Sequence, residues 1–174
     1  MSFVWKKIIN VLFFVSFIFY ISFLLWNILF KYVSPIELFS SQREFHRSLN
    51  LIPFNDIIEG NYNQLDVIGN VILFIPLGIY VGMFLKKLKW YENIVIIALI
   101  SLAFEVSQYI FAIGASDITD IITNTAGGSI GIGIYLIIKK IFREDMKVKS
   151  FVSICSTLVM IPVAFIIVML FIYN

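Results

Sequence analysis

From Ile8 to Phe30 the chain runs for 23 residues without a charged side chain. An α-helix needs about 20 such residues to cross the hydrocarbon core of a bilayer. Four further runs have comparable length and polarity, roughly Leu65 to Leu85, Ile94 to Ile113, Asp120 to Phe142 and Ser150 to Tyr173. A soluble fold of 174 residues could not bury all five. Composition agrees: 60% of the residues are hydrophobic and 14% charged, against about 45–50% and 25% in soluble domains. That excludes a soluble globular protein, and so much apolar material excludes disorder. A net charge of +2 argues against nucleic acid as a partner, and the single Cys155 excludes a disulfide framework or a thiolate metal cluster. Backbone groups that face lipid must be satisfied within their own segment, and runs this long and continuous select helices over barrel strands. The expected fold is all-α, a polytopic bundle of about five transmembrane helices.

Lys6 and Lys7 precede the first run as in a signal peptide. The run is too long for one, and no small-residue cleavage site follows, so it reads as a retained helix. Lys and Arg set the orientation, because cytoplasmic segments carry an excess of them. With the N-terminus inside, Lys6, Lys7, Lys86, Lys87, Lys89, Lys139, Lys140, Arg143, Lys147 and Lys149 are cytoplasmic, while Lys31, Arg43 and Arg47 are outside. The N-terminus is therefore expected inside and the C-terminus outside. The chain divides into an N-terminal helix (1–30), an extracytoplasmic amphipathic segment (31–64), a core of three spans (65–142) and a C-terminal span (150–174). The last span has Ser150, Ser153, Ser156 and Thr157 as its polar residues and is expected at the periphery. In the outer segment, Ser34-Pro35-Ile36-Glu37 is a capping box with proline at the first helical position. The helix it starts should end before Pro53 and lie on the outer surface or over the bundle, with Ile36, Phe39 and Leu49 apart from Arg43, Arg47 and Asn50.

Polar groups inside a membrane are costly and usually serve a purpose. Asp66 and Asn70 are four apart and share a face of the second span. Glu105 and Gln108 are three apart in the outer part of the third. Asp117, Asp120 and Asn124 step by three and four at the outer entrance to the fourth, and Gly127 or Gly128, then Gly131, continue that line. All of these fall in the outer half of the membrane, so they predict an outward-facing polar pocket walled by spans two, three and four, with Arg43, His46 and Arg47 nearby. The carboxylates Asp66, Glu105, Asp117 and Asp120 outnumber Arg43 and Arg47. At least one is then paired, protonated or metal-bound. Each feature also has a plainer reading. Glu105 and Gln108 can be hydrogen-bonding glue between helices. Asp66, Asp117 and Asp120 can be helix caps. Gly127-x-x-x-Gly131 reads as close helix packing, His46 as an interfacial histidine, and Pro76 before Gly78 as a kink. The chain has no HExxH, GxSxG, P-loop or dinucleotide fingerprint. The chemistry that could be assembled is acidic, with Glu105 and Asp120 as candidate catalytic groups and a divalent cation, Mg²⁺ or Ca²⁺, as a possible cofactor.

At these residues the chain resembles the VanZ-like family of small bacterial membrane proteins. Four blocks carry the resemblance: Asn50-Leu51-Ile52-Pro53-Phe54; Asp66 with Asn70-Val71-Ile72-Leu73-Phe74-Ile75-Pro76-Leu77-Gly78; Glu105-Val106-Ser107-Gln108; and Asp117-Ile118-Thr119-Asp120 through Asn124 to Gly127-Gly128, with Gly131 beyond. They stand in the family's order over roughly residues 43 to 135. Many members carry an arginine just before the acidic pair, where this chain reads Ile113-Gly114-Ala115-Ser116; Arg43 and Arg47 are the candidates to replace it. The resemblance implies a protein of the Gram-positive cell envelope, associated with low-level resistance to teicoplanin-type lipoglycopeptides. It fits a non-enzymatic pocket that takes a lipid headgroup or a lipoglycopeptide at the outer leaflet, with membrane lipids as partners and no nucleic acid. Two alternatives stay open: an intramembrane carboxylate-dependent enzyme acting on an envelope lipid, and a small-solute transporter. The cytoplasmic halves of the spans are almost wholly apolar, so a through-path would require an oligomer.

Overall fold

The computed structural model describes residues 3–30, 47–55 and 64–173. In chain order these form helix α1 (Phe3–Leu29), strand β1 (Ser48–Asn50), helices α2 (Gln64–Phe84) and α3 (Trp90–Phe111), strand β2 (Ala115–Asp117), and helices α4 (Ile118–Phe142) and α5 (Asp145–Tyr173). All five helices are long and apolar enough to cross a membrane, so the chain is a multi-pass membrane protein. The proposed amphipathic helix that begins at Ser34, with Arg43 and His46, lies outside the described residues. A helix there does not reach Ser48, where the chain is already extended.

The chain forms two compact units. One comprises Leu24–Leu136. In it α2 and α4 run parallel and touch through glycines: Gly127 lies against the Val71 backbone and Gly131 against that of Ile75, while Gly78 faces Gly128. A Cβ at Gly78, Gly127 or Gly131 would strike backbone atoms of the neighbouring helix. Small residues of this kind let membrane helices approach closely, where dispersion replaces the missing hydrophobic force. Helix α3 runs antiparallel to α4, with Ile97 opposite Gly128 and Ser101 opposite Asn124. Phe74 of α2 meets Phe104 of α3 edge to face, with ring centroids 6.2 Å apart. Phe74, Leu77, Tyr80, Ile97, Ile132 and Tyr135 are buried here. Pro76 lies inside α2 without ending it; its ring removes the amide that would bond Ile72 O.

The second unit comprises Met1–Phe23 and Ile137–Asn174. Helix α4 stops at Arg143, whose backbone is left-handed (φ 55°) and whose N–H bonds Lys139 O at 2.9 Å. Helix α5 then starts at once. Ser153 Oγ of α5 lies 3.5 Å from Ile9 O of α1, and Val148, Val152 and Ser153 on α5 and Ile9, Phe13 and Ser16 on α1 are buried. Ser156 Oγ donates to Ser16 Oγ at 3.0 Å. Beyond that patch the apolar residues of α5, Phe165 and Leu170 among them, are exposed and suited to lipid.

Candidate functional site

Two tight turns build the outer end of the larger unit. Helix α3 ends at Ala112, which is left-handed (φ 48°), and Ile113 N–H caps Gln108 O at 3.0 Å. Two residues later the chain is extended as β2, which pairs in parallel with β1: Ser48 with Ala115, Leu49 with Ser116 and Asn50 with Asp117. This ladder brings the first and fourth motif blocks together. Asn50 Nδ2 donates to Asp117 Oδ2 at 3.0 Å. The other oxygen, Oδ1, accepts the Thr119 N–H at 2.7 Å, which makes Asp117 the N-cap of α4 and places a negative charge where the helix dipole favours it. Glu105 Oε2 accepts the N–H of Asp117 at 2.9 Å. Ser116 Oγ donates to the Glu105 carbonyl at 2.6 Å. Phe54 has φ 58°, a strained backbone for a bulky residue. Its N–H is held by Thr119 Oγ1 at 2.9 Å.

Deeper in the membrane, Asn124 is fully buried and donates Nδ2 to Ser101 Oγ at 2.9 Å. Gln108 donates Nε2 to Ile28 O at 2.9 Å, which ties α3 to the outer end of α1. Three buried amide atoms, Asn70 Nδ2, Gln108 Oε1 and Asn124 Oδ1, have no hydrogen-bond partner among the described residues. A buried polar atom without a partner costs about 1–3 kcal/mol, so each of these positions has capacity for a bound polar group or water. Asp66 and Asp120 are half-buried and engaged in interactions of their own. The register of α2 on α4 sets Asp66 level with the turn between Asp120 and Asn124.

The structure therefore joins Asn50, Glu105 and Asp117 directly, and joins Asn124 and Gln108 to backbone or hydroxyl partners nearby. Asp66, Asn70 and Asp120 stand at the same end of the unit, Asn70 buried and Asp66 and Asp120 half-buried. Gly78, Gly127, Gly128 and Gly131 form helix contacts, Pro76 lies within α2, and Arg43 lies outside the described residues. Arg47 is exposed, with its guanidinium 5.8 Å over the ring of Tyr109. The strand register sets it alongside Gly114, within the segment that lacks the expected arginine. Sequence reasoning missed the β1–β2 ladder and with it the roles of Ser101, Ser116 and Thr119. Three-residue strands carry no alternation to read; the signal available was Asn50 and Asp117, each followed two residues later by a free amide that an Asx turn can cap. Among the described residues no three of His, Cys, Asp and Glu gather to hold a metal ion. Both oxygens of Asp117 and one of Glu105 take N–H donors.

The VanZ/LLP1 family model matches residues 17–139, which contain every one of these contacts. The chain belongs to the VanZ/LLP1 family. It is 41% identical to Protein VanZ of Enterococcus faecium over 116 residues, 67% of this chain and 68% of that protein. No solved structure matches the chain. The VanZ/LLP1 match takes in the second half of α1, the β1–β2 ladder, α2, α3 and nearly all of α4, and stops before α5.

Proposed function

We propose that this VanZ/LLP1 protein acts without enzymatic chemistry at the outer leaflet, where its polar pocket engages an amphiphilic headgroup and lowers sensitivity to teicoplanin-type lipoglycopeptides. The observation that carries this reading is the gathering of polar side chains toward the outer ends of α2, α3 and α4, with Asp66 and Asp120 half-buried and amide atoms of Asn70, Gln108 and Asn124 buried without a hydrogen-bond partner among the described residues. Membrane helices do not keep buried polar atoms unsatisfied without cause. The hydrogen bond from the Asp117 amide to Glu105 supports a scaffolding role for that carboxylate over a role as a base. The similarity to Protein VanZ of Enterococcus faecium supports the drug class.

The test is growth inhibition by teicoplanin and by vancomycin in Gram-positive cells that carry no copy, the wild type or Asp120→Asn at matched membrane levels. Protection against teicoplanin alone, lost in the variant, is the expected result. Protection unchanged in Asp120→Asn would remove the pocket from the mechanism, and no protection in any strain would remove the drug class.

A further inference from the structure

The smaller unit gathers an unusual charge at one end. The start of α1, the end of α4 and the start of α5 bring Lys6, Lys7, Lys139, Lys140, Arg143, Lys147 and Lys149 to the face assigned to the cytoplasm, against Glu144 and Asp145. Part of this has a structural use. Lys139 and Lys140 offset the negative end of the α4 dipole, and Lys147 pairs with Glu144 at 2.8 Å. Lys6, Lys7 and Arg143 make no ion pair among the described residues. Lys149 is held at the seam between α1 and α5, its ammonium 4.6 Å from the Phe13 ring and 5.0 Å from that of Phe14. Lys6 lies on the same face of α1 as Ile9, Phe13 and Ser16, about one helical turn before Ile9. The exposed side chains of Phe3, Trp5 and Ile8 surround this end of α1, an aromatic and aliphatic collar suited to the membrane interface.

We propose that this end of the unit binds the phosphate of an anionic phospholipid of the inner leaflet, with Lys6, Arg143 and Lys149 as the ligating cations and the acyl chains along the exposed apolar sides of α1 and α5. Uncompensated cations clustered at a membrane surface need anions, and lipid phosphates are the anions at that depth. Basic sites between helix ends on the cytoplasmic side recognise phospholipid headgroups in this way. The site is separate from the outward polar pocket and does not depend on its function.

The full-length protein is reconstituted in vesicles of equal phosphatidylglycerol and phosphatidylcholine. The fraction of each lipid immobilised by the protein is read with spin-labelled analogues. The wild type should prefer phosphatidylglycerol by about fivefold or more, the factor that one cation near an anionic surface contributes. Lys6→Gln/Arg143→Gln/Lys149→Gln should bring the two lipids to parity, while the charge-retaining Lys6→Arg/Lys149→Arg should keep the preference. Lys86→Gln/Lys87→Gln/Lys89→Gln, which removes as much charge from the loop between α2 and α3, should change it little. Equal losses in the two neutralised triples would reduce the effect to general attraction and overturn the site, as would a wild type with no preference. Should the first triple fail to fold, Arg143→Gln alone, at an exposed turn, must still reduce the preference. Inorganic phosphate should compete no better than chloride at matched ionic strength; selective competition by phosphate would overturn the assignment to lipid.

Discussion

Alanine at Gly131 should destabilise the bundle sharply, and alanine two residues later should not. A Cβ on Gly131 would stand 2.9 Å from Gly78 Cα and 3.0 Å from the Ile75 carbonyl carbon, and nearer still to Ile75 O. These are backbone atoms of α2 and cannot rotate away, so the helices must part. A gap of about 0.5–1 Å forfeits a quarter to a half of each dispersion contact along the seam, and overpacking of this kind costs about 1–3 kcal/mol. At Gly133 on the same helix, a Cβ would meet nothing within 4 Å. There the change from glycine should be neutral or gain up to about 1 kcal/mol of helix propensity. The propensity gain is common to both Gly→Ala changes, so the two variants should differ by the overpacking cost, about 1–3 kcal/mol. Reversible unfolding in mixed micelles titrated with sodium dodecyl sulfate, followed by circular dichroism, measures the difference. Gly131→Ala unfolding at the same or a higher detergent fraction than Gly133→Ala would refute the close approach of α2 and α4.

The same assay checks the outer network. A double-mutant cycle of Asn50→Ala and Asp117→Ala should show coupling of about 1.5–3 kcal/mol, as for hydrogen bonds to charged groups; additive losses would mean that the ladder, and not the side-chain bond, joins the two blocks. Glu105→Ala strands the Asp117 amide and should cost about 1–3 kcal/mol, whereas Glu105→Gln keeps an acceptor and should recover most of it. Equal losses in those two variants would assign the effect to charge. Ser101→Ala leaves Asn124 Nδ2 without its partner and should cost about 0.6–2 kcal/mol, the range for hydrogen bonds between membrane helices; no loss would show that Asn124 repairs the bond elsewhere.

Much of the architecture was legible because the bilayer imposes it. Runs of about 20 apolar residues have one stable way to cross lipid, and the five helices stand where those runs predict, with α1 and α5 starting about a turn earlier as Lys6, Lys7, Lys147 and Lys149 extend into them. The glycines of α4 were legible as packing positions, but their partners were not, since a small-residue pattern does not say which helix will fill it. The candidate site was legible as a set of residue types at one depth. What each residue does was not. Glu105 and Gln108 read as interhelical glue or as a functional pair; the structure gives Glu105 to the Asp117 amide and Gln108 to the carbonyl of Ile28. Asp117 read as a cap or a ligand, and it caps α4 while accepting from Asn50.

Hydropathy is a local property, so the chain by itself determined how many helices form and, to about a turn, where they lie. It reports the transfer of each segment from water to lipid, and that free energy depends on the segment alone. The pairing of Asn50 with Asp117 and of Gly78 with Gly128, and the cations gathered by α1, α4 and α5, join residues tens of positions apart. Contacts of that kind depend on two surfaces fitting at close range. The tertiary structure decided them, because steric fit and hydrogen-bond geometry exist only once the helices are assembled.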